Sequence, residues 1–302
     1  MRQLVVLVNP NAGSGRAGGV WDALLAAHPE LASARIVRES RPDAAAAGLR
    51  AAFAAGCDTL IAVGGDGTAH MVANVLVADR LGDRVALGLV PGGTGSDLCK
   101  SLGLPSAPGR ALERALAGEP KPLDAFEVRR PADPAAPLRY CVNTVSTGLS
   151  GNIVEAVNRL TKRGSAVYLK TTVKALLRYR PVSYRVTVDG GVFHEGPTFL
   201  LAIANGVNIG KGMRVAPRAK LDDGLADVVV IGDVPRWQLP FRLPQVVLGL
   251  HAKAKPVRMA QARTVTCEQL GPPPTGYELD GDVGAPGPLA LRVLPGALRV
   301  LR

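Results

Sequence analysis

The stretch TLIAVGGDGTAHMVANVLVAD, residues 59–79, decides the fold class of this chain. It opens with the short apolar run Thr59–Val63, passes through the glycine-rich segment Gly64–Thr68, and continues as the helix-prone run Ala69–Asp79. A short, fully apolar run of this kind is typical of a buried parallel strand. The stretch therefore predicts a strand, a tight loop and a helix in direct succession.

The same succession recurs along the first part of the chain. Further strands are predicted at 4–8, 36–38 and 85–90, and further helices at 16–28, at 43–55 and from residue 96 onward. Repeated strand–loop–helix units predict an open parallel sheet with helices on both faces. Such sheets bind ligands at the carboxyl ends of their strands.

The pattern changes near residue 122, where short β-branched-rich segments alternate with Gly, Pro and Asp turns. The predicted strands are 124–130, 139–145, 184–189, 198–204, 226–231, 256–260, 263–268 and 289–293. This pattern indicates a sheet-rich or sandwich-like domain, interrupted by helical insertions at about 152–179 and 236–250.

The expected fold class is therefore α/β plus β. An open parallel α/β nucleotide-binding domain is expected over residues 1–125, followed by a larger β-sandwich-like domain over residues 126–290. For the C-terminal tail, about residues 291–302, a return to the first domain is left open.

Charge is distributed unevenly between the two predicted domains. Residues 1–125 hold 12 Lys/Arg against 12 Asp/Glu, so the second part keeps 24 of the 36 cations and 13 of the 25 acids. Such an excess indicates an anionic partner, either a nucleic acid or a membrane surface. Aromatic residues make up only 4% of the chain, and no helix-turn-helix or zinc-finger spacing occurs. We therefore expect no nucleic acid partner.

Composition also bounds the compartment. No apolar run reaches the roughly 18 to 20 residues of a membrane-spanning helix, and the run at 4–8 is too short for a signal peptide. The four cysteines, at 57, 99, 141 and 267, form no Cys-x-x-Cys pair, which argues against a zinc ribbon or a disulfide framework. We expect a cytoplasmic protein.

Three glycine-rich loops follow three of the predicted strands, at 9–15, 64–68 and 92–97. Glycine lets the backbone approach phosphate oxygens, and the following helix points its unpaired N–H groups at the anion. One such loop is an ordinary turn before a helix, but three at one sheet edge predict a polyphosphate ligand. Thr68 and Ser96 are candidate N-caps of the following helices.

Two alternative motifs fit less well. Gly13-x-Gly15-x-x-Gly18 matches a dinucleotide fingerprint, with Glu39 as its ribose-binding acid, but the glycines begin too far beyond Val8. A Walker A motif is excluded because no Gly-Lys-Ser/Thr occurs. The acids Asp66 and Asp97 would repel a phosphate unless a divalent cation lies between them or they cap turns.

The order and spacing of these motifs resemble the soluble diacylglycerol kinase and lipid kinase catalytic family, which is related to sphingosine kinases and more distantly to NAD kinases. The segments that carry the resemblance are Asn9-Pro10…Gly13, 64–74, 91–97, Asn143…Gly148-Leu149, 219–225 and 279–282. The Gly-Gly-Asp-Gly-Thr motif alone is shared with NAD kinases and phosphofructokinase-like enzymes, whereas the combination is specific.

The resemblance implies an ATP- and Mg²⁺-dependent kinase that transfers the γ-phosphoryl group to a lipid hydroxyl such as that of diacylglycerol. The ATP-binding residues that it implies are Asn9, Gly13, Ser40, Gly64, Gly65, Asp66, Gly67, Thr68, Ala69, His70, Gly93 and Thr94. Asp282 would be the general base, although the family usually has Glu there, and Asp66, Asp97 and Asp124 would handle magnesium and phosphate. A structural Mg²⁺ would be held by Asp223 and by the backbone carbonyls of Lys220 and Leu225.

A lipid acceptor implies that the second domain is a lipid-acceptor domain that works at an anionic membrane. Basic segments with interleaved apolar residues lie at 153–181 and 236–263, and such segments suit a peripheral membrane contact. Lys170, Lys174 and Arg178 are the expected contact residues. Solvated helices packed on the sandwich are the alternative, and a homodimer is left open.

Two other functions stay open at this point. An NAD kinase-like small-molecule kinase shares the Gly-Gly-Asp-Gly-Thr loop, but its usual Asn-Glu acceptor motif is not evident. A non-catalytic lipid- or nucleotide-binding protein is the second alternative, because Asp282 stands where the family usually has Glu.

Overall fold

The computed structural model describes residues 3–92, 96–158, 175–176, 179–272 and 275–302. The chain forms two compact units. Unit 1 combines Met1–Ala125 with Pro295–Arg302, and unit 2 spans Phe126–Leu294.

Unit 1 is built on a parallel sheet. Its strands are β1 (Leu4–Val8), β2 (Arg35–Arg38), β3 (Thr59–Gly64) and β4 (Ala86–Pro91), in the spatial order β2-β1-β3-β4. The C-terminal strand, Leu289–Leu301, pairs in parallel with β4, so that Arg299 lies opposite Ala86. Every residue of β3 is buried, as a strand covered on both faces requires.

Five helices belong to unit 1. They are α1 (Ala12–Ala27), α2 (Pro42–Ala54), α3 (Asp66–Ala78), α4 (Asp97–Ser101) and α5 (Pro108–Ala117). A 3-10 turn spans Pro29–Ser33. The apolar core includes Val6, Trp21, Ile61 and Leu112. Helix α5 was missed by the sequence reading.

Unit 2 is dominated by antiparallel pairing. Its strands are β5 (Pro120–Arg129, which begins in unit 1), β6 (Arg139–Cys141), β7 (Thr144–Gly148), β8 (Val182–Val188), β9 (Gly191–Ala204), β10 (Ala226–Gly232), β11 (Val257–Ala262), β12 (Thr264–Leu270), β13 (Tyr277–Leu279), β14 (Asp282–Gly284) and β15 (Leu289–Leu301). The main order is β14-β13-β7-β9-β8-β12-β15, while β10 pairs with β9 and β11, and β5 pairs with β6.

Among the described residues of unit 2, helix α6 spans Leu149–Asn158 and helix α7 spans Leu239–Val247, with 3-10 turns at Arg236–Gln238 and Leu250–Lys253. Alternate residues of a strand point to opposite faces of its sheet. Along β10, Val228 and Val230 accordingly enter one apolar cluster with Tyr184, whereas Val229 enters a second cluster with Leu239 of α7. The sheet is therefore covered on both faces at this point.

The predicted fold class, α/β followed by a β-sandwich-like domain, is confirmed, and the differences are local. The stretch 139–145 is two strands rather than one, because the backbone amides of Val142 and Asn143 donate to a carboxylate. The Gly/Pro-rich stretch 271–288 contains the hairpin β13–β14. Within the part of the chain that the structure describes, no helix has the length and hydropathy needed to cross a membrane.

Candidate functional site

The first glycine-rich loop leaves β1 and turns through a left-handed segment. Gly13, Ser14 and Gly15 have φ of 63°, 62° and 89°, a conformation that glycine adopts readily and serine only with strain. Asn9 fixes the entry to the loop, since its side chain accepts a hydrogen bond from the Asn11 N–H and donates to Thr68 Oγ1 at 3.3 Å. Successive amides in a turn of this kind form a concave surface that suits an anion.

The glycines of the second and third loops serve two different purposes. A Cβ on Gly64 would overlap the Thr68 side chain, and one on Gly92 would lie 2.6 Å from the Cβ of Ala17. These two glycines therefore permit close packing of the loops, and the Gly92 N–H donates to the Gly64 carbonyl at 2.7 Å. A Cβ on Gly67 would meet no atom within 4 Å, so the backbone there is open to a ligand.

Asp66 is the first residue of α3, and its carboxylate fixes the start of α4. Its Oδ2 accepts the N–H of Asp97 and its Oδ1 accepts the N–H of Leu98, both at 3.1 Å. Asp66 therefore caps α4, whereas the Ser96 hydroxyl makes no capping bond and Thr68 is the third residue of its helix. The expected cap at Thr68 is wrong, because Gly65 is the N-cap residue of α3. Ser96 occupies the N-cap position of α4, but the Asp66 carboxylate takes the capping role in place of its hydroxyl.

Asp66 and Asp97 affect the side chains close to them. Burial, with the Asp66 carboxylate as the next cause, raises the pKa of the Cys99 thiol to about 12. Asp97 is buried, and its Oδ1 accepts a hydrogen bond from Lys100 Nζ at 3.0 Å. Lys100 is thus a counter-charge that sequence reasoning missed, although its i+3 spacing from Asp97 on a helix is a recognisable signal.

The loops have the donor chemistry that Mg²⁺ prefers. Each Asp66 oxygen accepts one amide hydrogen, and carboxylate oxygens are also ligands that Mg²⁺ takes. Magnesium keeps several of its waters and needs only one or two protein carboxylates when a nucleotide supplies phosphates. Asp66 and Asp97 fit such an ion, although no cluster of three acidic, His or Cys residues is present among the described residues.

The other predicted ATP-binding residues of unit 1 lie around this edge. Ser40 follows β2, and its N–H donates to Glu39 Oε1 at 2.8 Å. Backbone hydrogen bonds from Arg41 and Ser40 lower the pKa of Glu39. Gly65 precedes α3, and Ala69 and the buried His70 lie in its first turns. Gly93 and Thr94 lie outside the described residues.

Asp124 is placed differently from Asp66 and Asp97. It is buried in β5, and its Oδ1 accepts the N–H of Gly296 at 2.7 Å, in the strand that returns to unit 1. The carboxylate therefore holds two segments of backbone together. This contact accounts for a buried acid at this position without a ligand.

In unit 2, the predicted general base lies on a tight hairpin. Leu279 of β13 pairs with Asp282 of β14, and the turn residues Asp280 and Gly281 have φ of 49° and 95°. Positive φ at both central residues is the geometry that an Asp-Gly hairpin favours. The Asp282 side chain is 57% exposed, and its Oδ2 lies 3.3 Å from the Arg139 guanidinium.

Asp280, two residues before Asp282, is buried, and its carboxylate accepts hydrogen bonds from backbone amides. Its carboxylate accepts the amides of Val142, Asn143 and Thr144 at 2.8 to 2.9 Å, and the Cys141 thiol also donates to it. Burial, and after it the Asp280 charge, raise the pKa of that thiol. Asp280 therefore fixes the link between β6 and β7, and the sequence carries no signal for contacts so distant along the chain.

A cavity of about 150 Å³ lies beside this hairpin in unit 2. Its lining is mostly apolar and includes Val128, Tyr277, Leu279 and Val283, together with the guanidinium-bearing residues Arg130 and Arg139. Arg139 thus both lines the cavity and pairs with Asp282. The sequence reading singled out neither arginine.

Glu278 of β13 is a further acid that the sequence analysis did not single out. It is buried and accepts a hydrogen bond from the Ser146 hydroxyl. The neighbours Tyr277 and Leu279 point into the apolar cluster of unit 2, so Glu278 points to the opposite face. An acid between two apolar residues of a strand is the signal that could have identified it.

The predicted structural-metal residues lie in the turn before β10. The carboxylate of Asp223 accepts the Leu225 N–H at 3.1 Å, and Lys220 and Asp223 are exposed. Asp227 is buried, and burial together with the charge of Asp223 raises its pKa. Carboxylate and carbonyl oxygens are the donors that Mg²⁺ takes, so the turn fits a hard cation in its chemistry. The predicted membrane residues Lys170, Lys174 and Arg178 lie outside the described residues.

Comparisons with known families match both parts of the chain. Residues 3–128 match the diacylglycerol kinase catalytic domain, and residues 143–302 match the YegS C-terminal NAD kinase beta sandwich-like domain. The chain belongs to the YegS and diacylglycerol kinase family of lipid kinases. The predicted family is therefore confirmed. The likeness to NAD kinases concerns the beta sandwich-like domain.

Individual relatives agree with this assignment. The chain is 28% identical over 304 residues to the diacylglycerol kinase of Mycobacterium tuberculosis H37Rv, covering 99% of this chain and 95% of that one. It is 32% identical over 255 residues to the "Probable lipid kinase YegS-like" of Xanthomonas euvesicatoria pv. vesicatoria, covering 82% and 80%. A diacylglycerol kinase crystal structure from Bacillus anthracis str. Sterne superposes with a TM-score of 0.76 at 21% identity, covering 99% and 96%, which supports the fold.

Proposed function

We propose that this lipid kinase transfers the γ-phosphoryl group of ATP to the hydroxyl of a lipid such as diacylglycerol, with Mg²⁺ as cofactor. The observation that carries the proposal is the amide-rich edge of unit 1. There the left-handed segment Gly13–Gly15, the open backbone at Gly67 and the start of α3 lie at the carboxyl ends of parallel strands. These features suit the phosphates of a nucleotide.

The acids of unit 1 are proposed to act through position. Asp66 holds the first amides of α4 in place, and Asp66 and Asp97 are the carboxylates that would hold Mg²⁺. Magnesium, when bound, neutralises the charge of the phosphates during transfer. Lys100 pairs with Asp97 and offsets its charge.

Asp282 is proposed to accept the proton of the acceptor hydroxyl. Its exposure and its place at a tight turn suit a general base that must reach a substrate. The Arg139 guanidinium donates to Asp282 Oδ2 at 3.3 Å and so helps to orient the carboxylate. Aspartate is one methylene shorter than the glutamate usual in the family, so the acceptor must come closer to the hairpin.

The cavity beside the hairpin is the proposed place for the apolar part of the acceptor. Its wall of Val128, Leu279 and Val283 suits acyl chain or glycerol carbons, while Arg130 and Arg139 suit ester or headgroup oxygens. A volume of about 150 Å³ accommodates a segment of a lipid rather than the whole molecule. The rest of the acceptor would stay in the bilayer.

Two further parts of the proposal concern a metal and a membrane. Asp223 and the carbonyls of Lys220 and Leu225 are proposed to hold a structural Mg²⁺ near Asp227. The positive excess of residues 126–302 supports a cytoplasmic enzyme that binds an anionic membrane peripherally, where its acceptor lies.

A transfer assay with an acceptor panel tests the proposal. Purified protein is supplied with γ-labelled ATP and Mg²⁺, together with diacylglycerol, monoacylglycerol, a sphingoid base, ceramide or phosphatidylglycerol in mixed micelles. Parallel reactions contain NAD or no acceptor. Label in an extracted lipid supports the proposal, label in NAD supports the NAD kinase-like alternative, and no transfer to any acceptor supports a non-catalytic binding protein.

A further inference from the structure

The second helical insertion of unit 2 presents large apolar side chains to solvent. Trp237 is 72% exposed, Phe241 70%, Leu248 61% and Leu250 66%. All four lie within fourteen residues, on or beside α7. Single exposed apolar residues are ordinary, but a cluster that includes Trp and Phe marks an interaction surface.

The exposed residues form a stripe with helical spacing. Trp237, Phe241, Pro244 and Leu248 follow one another at intervals of four, three and four residues, and all are exposed. One face of a helix repeats every three or four residues, so these side chains share a face. We call these four residues the apolar stripe.

The opposite face of α7 is already committed to the protein core. Leu239 is buried, and Val246 packs against the same apolar cluster, which also holds Val229 of β10. Helix α7 is therefore fixed to the sheet by one apolar face while the apolar stripe faces outward. A helix whose only apolar task was to cover the sheet would carry polar residues on its outer face.

Cations flank the apolar stripe along the sequence. No Asp or Glu occurs from Val234 through Cys267, and this segment carries Arg236, Arg242, Lys253, Lys255, Arg258 and Arg263. Lys253, Lys255 and Arg258 are exposed. The exposed Arg214 adds a further cation, because its N–H donates to the carbonyl of Val247 at the end of α7.

This charge pattern selects among the surfaces that could cover the stripe. In a symmetric pair of copies the same patch meets itself, so the cations of one copy would face those of the other. An anionic lipid bilayer instead offers negative headgroups to the cations and an apolar interior to the stripe. Tryptophan is itself enriched at the boundary between headgroups and acyl chains.

We propose that the apolar stripe inserts into the interface of an anionic bilayer, with the surrounding cations at headgroup level. The inference rests on the proposed function only in that a bilayer-borne acceptor gives the kinase a reason to dock. The insertion supplies an attraction that salt does not screen, whereas the cations supply one that salt weakens. Binding is therefore expected to fall with rising salt to a plateau above zero.

The two tryptophans of the chain allow a direct test. Trp21 is buried in unit 1, so a Trp21→Phe background leaves Trp237 as the sole tryptophan. The emission of Trp237 is followed on titration with phosphatidylcholine vesicles that contain or lack phosphatidylglycerol, without nucleotide. We expect a blue shift with the anionic vesicles, and quenching by lipids brominated on the acyl chains.

Matched variants distinguish insertion of the apolar stripe from nonspecific adsorption of the protein to vesicles. Phe241→Ser and Leu248→Ser should each lower the partition coefficient on anionic vesicles by about tenfold. Val192→Ser is the control, because Val192 is also an exposed apolar residue of unit 2 but lies at the β8–β9 turn. Lys253→Gln combined with Lys255→Gln should weaken binding at low salt and leave the high-salt plateau unchanged.

Several outcomes would overturn the proposal. An unchanged Trp237 emission with vesicles, or equal vesicle binding by Phe241→Ser and wild type, would exclude insertion. A wild-type dimer that Phe241→Ser dissociates would assign the stripe to a second copy. Turnover on a short-chain acceptor dispersed without vesicles measures phosphoryl transfer independently of membrane binding. Its absence while Trp237 still reports insertion would refute the proposed function and leave the docking surface standing.

Discussion

In each unit an aspartate carboxylate organises backbone amides, the half-buried Asp66 in unit 1 and the buried Asp280 in unit 2. The two units differ in the second acid of each motif pair. In unit 1, Asp66 accepts the amides of Asp97 and Leu98. In unit 2, Asp280 accepts three consecutive amides, from Val142 to Thr144. Asp97, whose N–H donates to Asp66, is itself buried, whereas Asp282, two residues after Asp280, is exposed.

The difference shows that burial and amide contacts, rather than position in a motif, separate the roles of these acids. A buried carboxylate that satisfies several amides is a structural element, because removing it leaves those donors without an acceptor. An exposed carboxylate at the end of a two-residue turn contributes little to the stability of the fold and is accessible to a substrate. Of the four acids, we therefore assign proton transfer to Asp282 alone.

The largest effect is expected from Asp282→Asn. Loss of a general base lowers turnover by about 10² to 10⁴-fold, and ATP affinity should stay unchanged because the loops that we propose to bind ATP lie in unit 1. Product formation and calorimetric ATP binding measure the two quantities. Asp222→Asn, also an exposed acid of unit 2, is the matched control. Full turnover in Asp282→Asn would break the division of roles.

The next effect concerns stability rather than turnover. Asp280→Ala leaves three buried amides and a thiol without their acceptor, and each unmet buried donor costs about 1 to 3 kcal/mol. We expect the free energy of unfolding to fall by about 3 kcal/mol or more. Urea denaturation measures it, with Asp282→Ala expected within about 0.5 kcal/mol of wild type. Equal losses in both variants would contradict the comparison.

These contrasts also separate what the sequence can predict from what it cannot. Leu4–Val8 and Thr59–Val63 were predicted as strands because a buried parallel strand is a short, wholly apolar run. The loops at the ends of these strands were also predictable from local sequence, because glycine-rich segments follow the strands directly. Helix α5 was missed although the sequence carries its signals, with Pro108 at the start and Ala111, Leu112 and Ala115 buried at helical spacing.

The roles of the acids depend on contacts that local patterns do not contain. Asp280 lies at least 136 residues along the chain from the amides that it accepts. Asp66 and Leu98 lie 32 residues apart, in the first turns of separate helices. The hairpin itself was predictable, because Asp280-Gly281 between alternating apolar residues is a strong hairpin signal. Its partners became visible only in the fold.

A smaller effect is expected from Asp66→Ala. The start of α4 loses its cap, which costs about 1 to 2 kcal/mol, and affinity for Mg²⁺–ATP should fall by about tenfold as the loop loses its fixed geometry. Thermal melting and calorimetry check the two effects. Asp43→Ala is the control, since Asp43 is an exposed acid in the first turn of α2. Weaker nucleotide binding with an unchanged melting temperature would assign Asp66 to the ligand alone.

The smallest effect is expected at a third pair of acids, Asp223 and Asp227. This pair sharpens the comparison, because its hydrogen bonds to backbone amides are less extensive than those of Asp280. Burial, and then the charge of Asp223, raise the pKa of Asp227. The folded protein therefore holds that proton more tightly than the unfolded chain does. The resulting stability is present at pH below the ordinary aspartate range, near 3.9, and is lost as pH rises through the raised value.

Asp227→Asn should accordingly remove this loss, so that in chelator the variant is more stable than wild type at neutral pH and the advantage disappears on acidification. A bound Mg²⁺ at the turn would offset the repulsion between the two acids, so magnesium should raise the melting temperature of wild type but not of Asp223→Ala. Denaturation at several pH values, in chelator and in magnesium, measures both effects. Asp222→Ala is the control, because it removes the neighbouring exposed charge. If magnesium stabilises Asp223→Ala as much as wild type, the turn holds no metal, and the raised pKa of Asp227 then reflects only its burial beside a second acid.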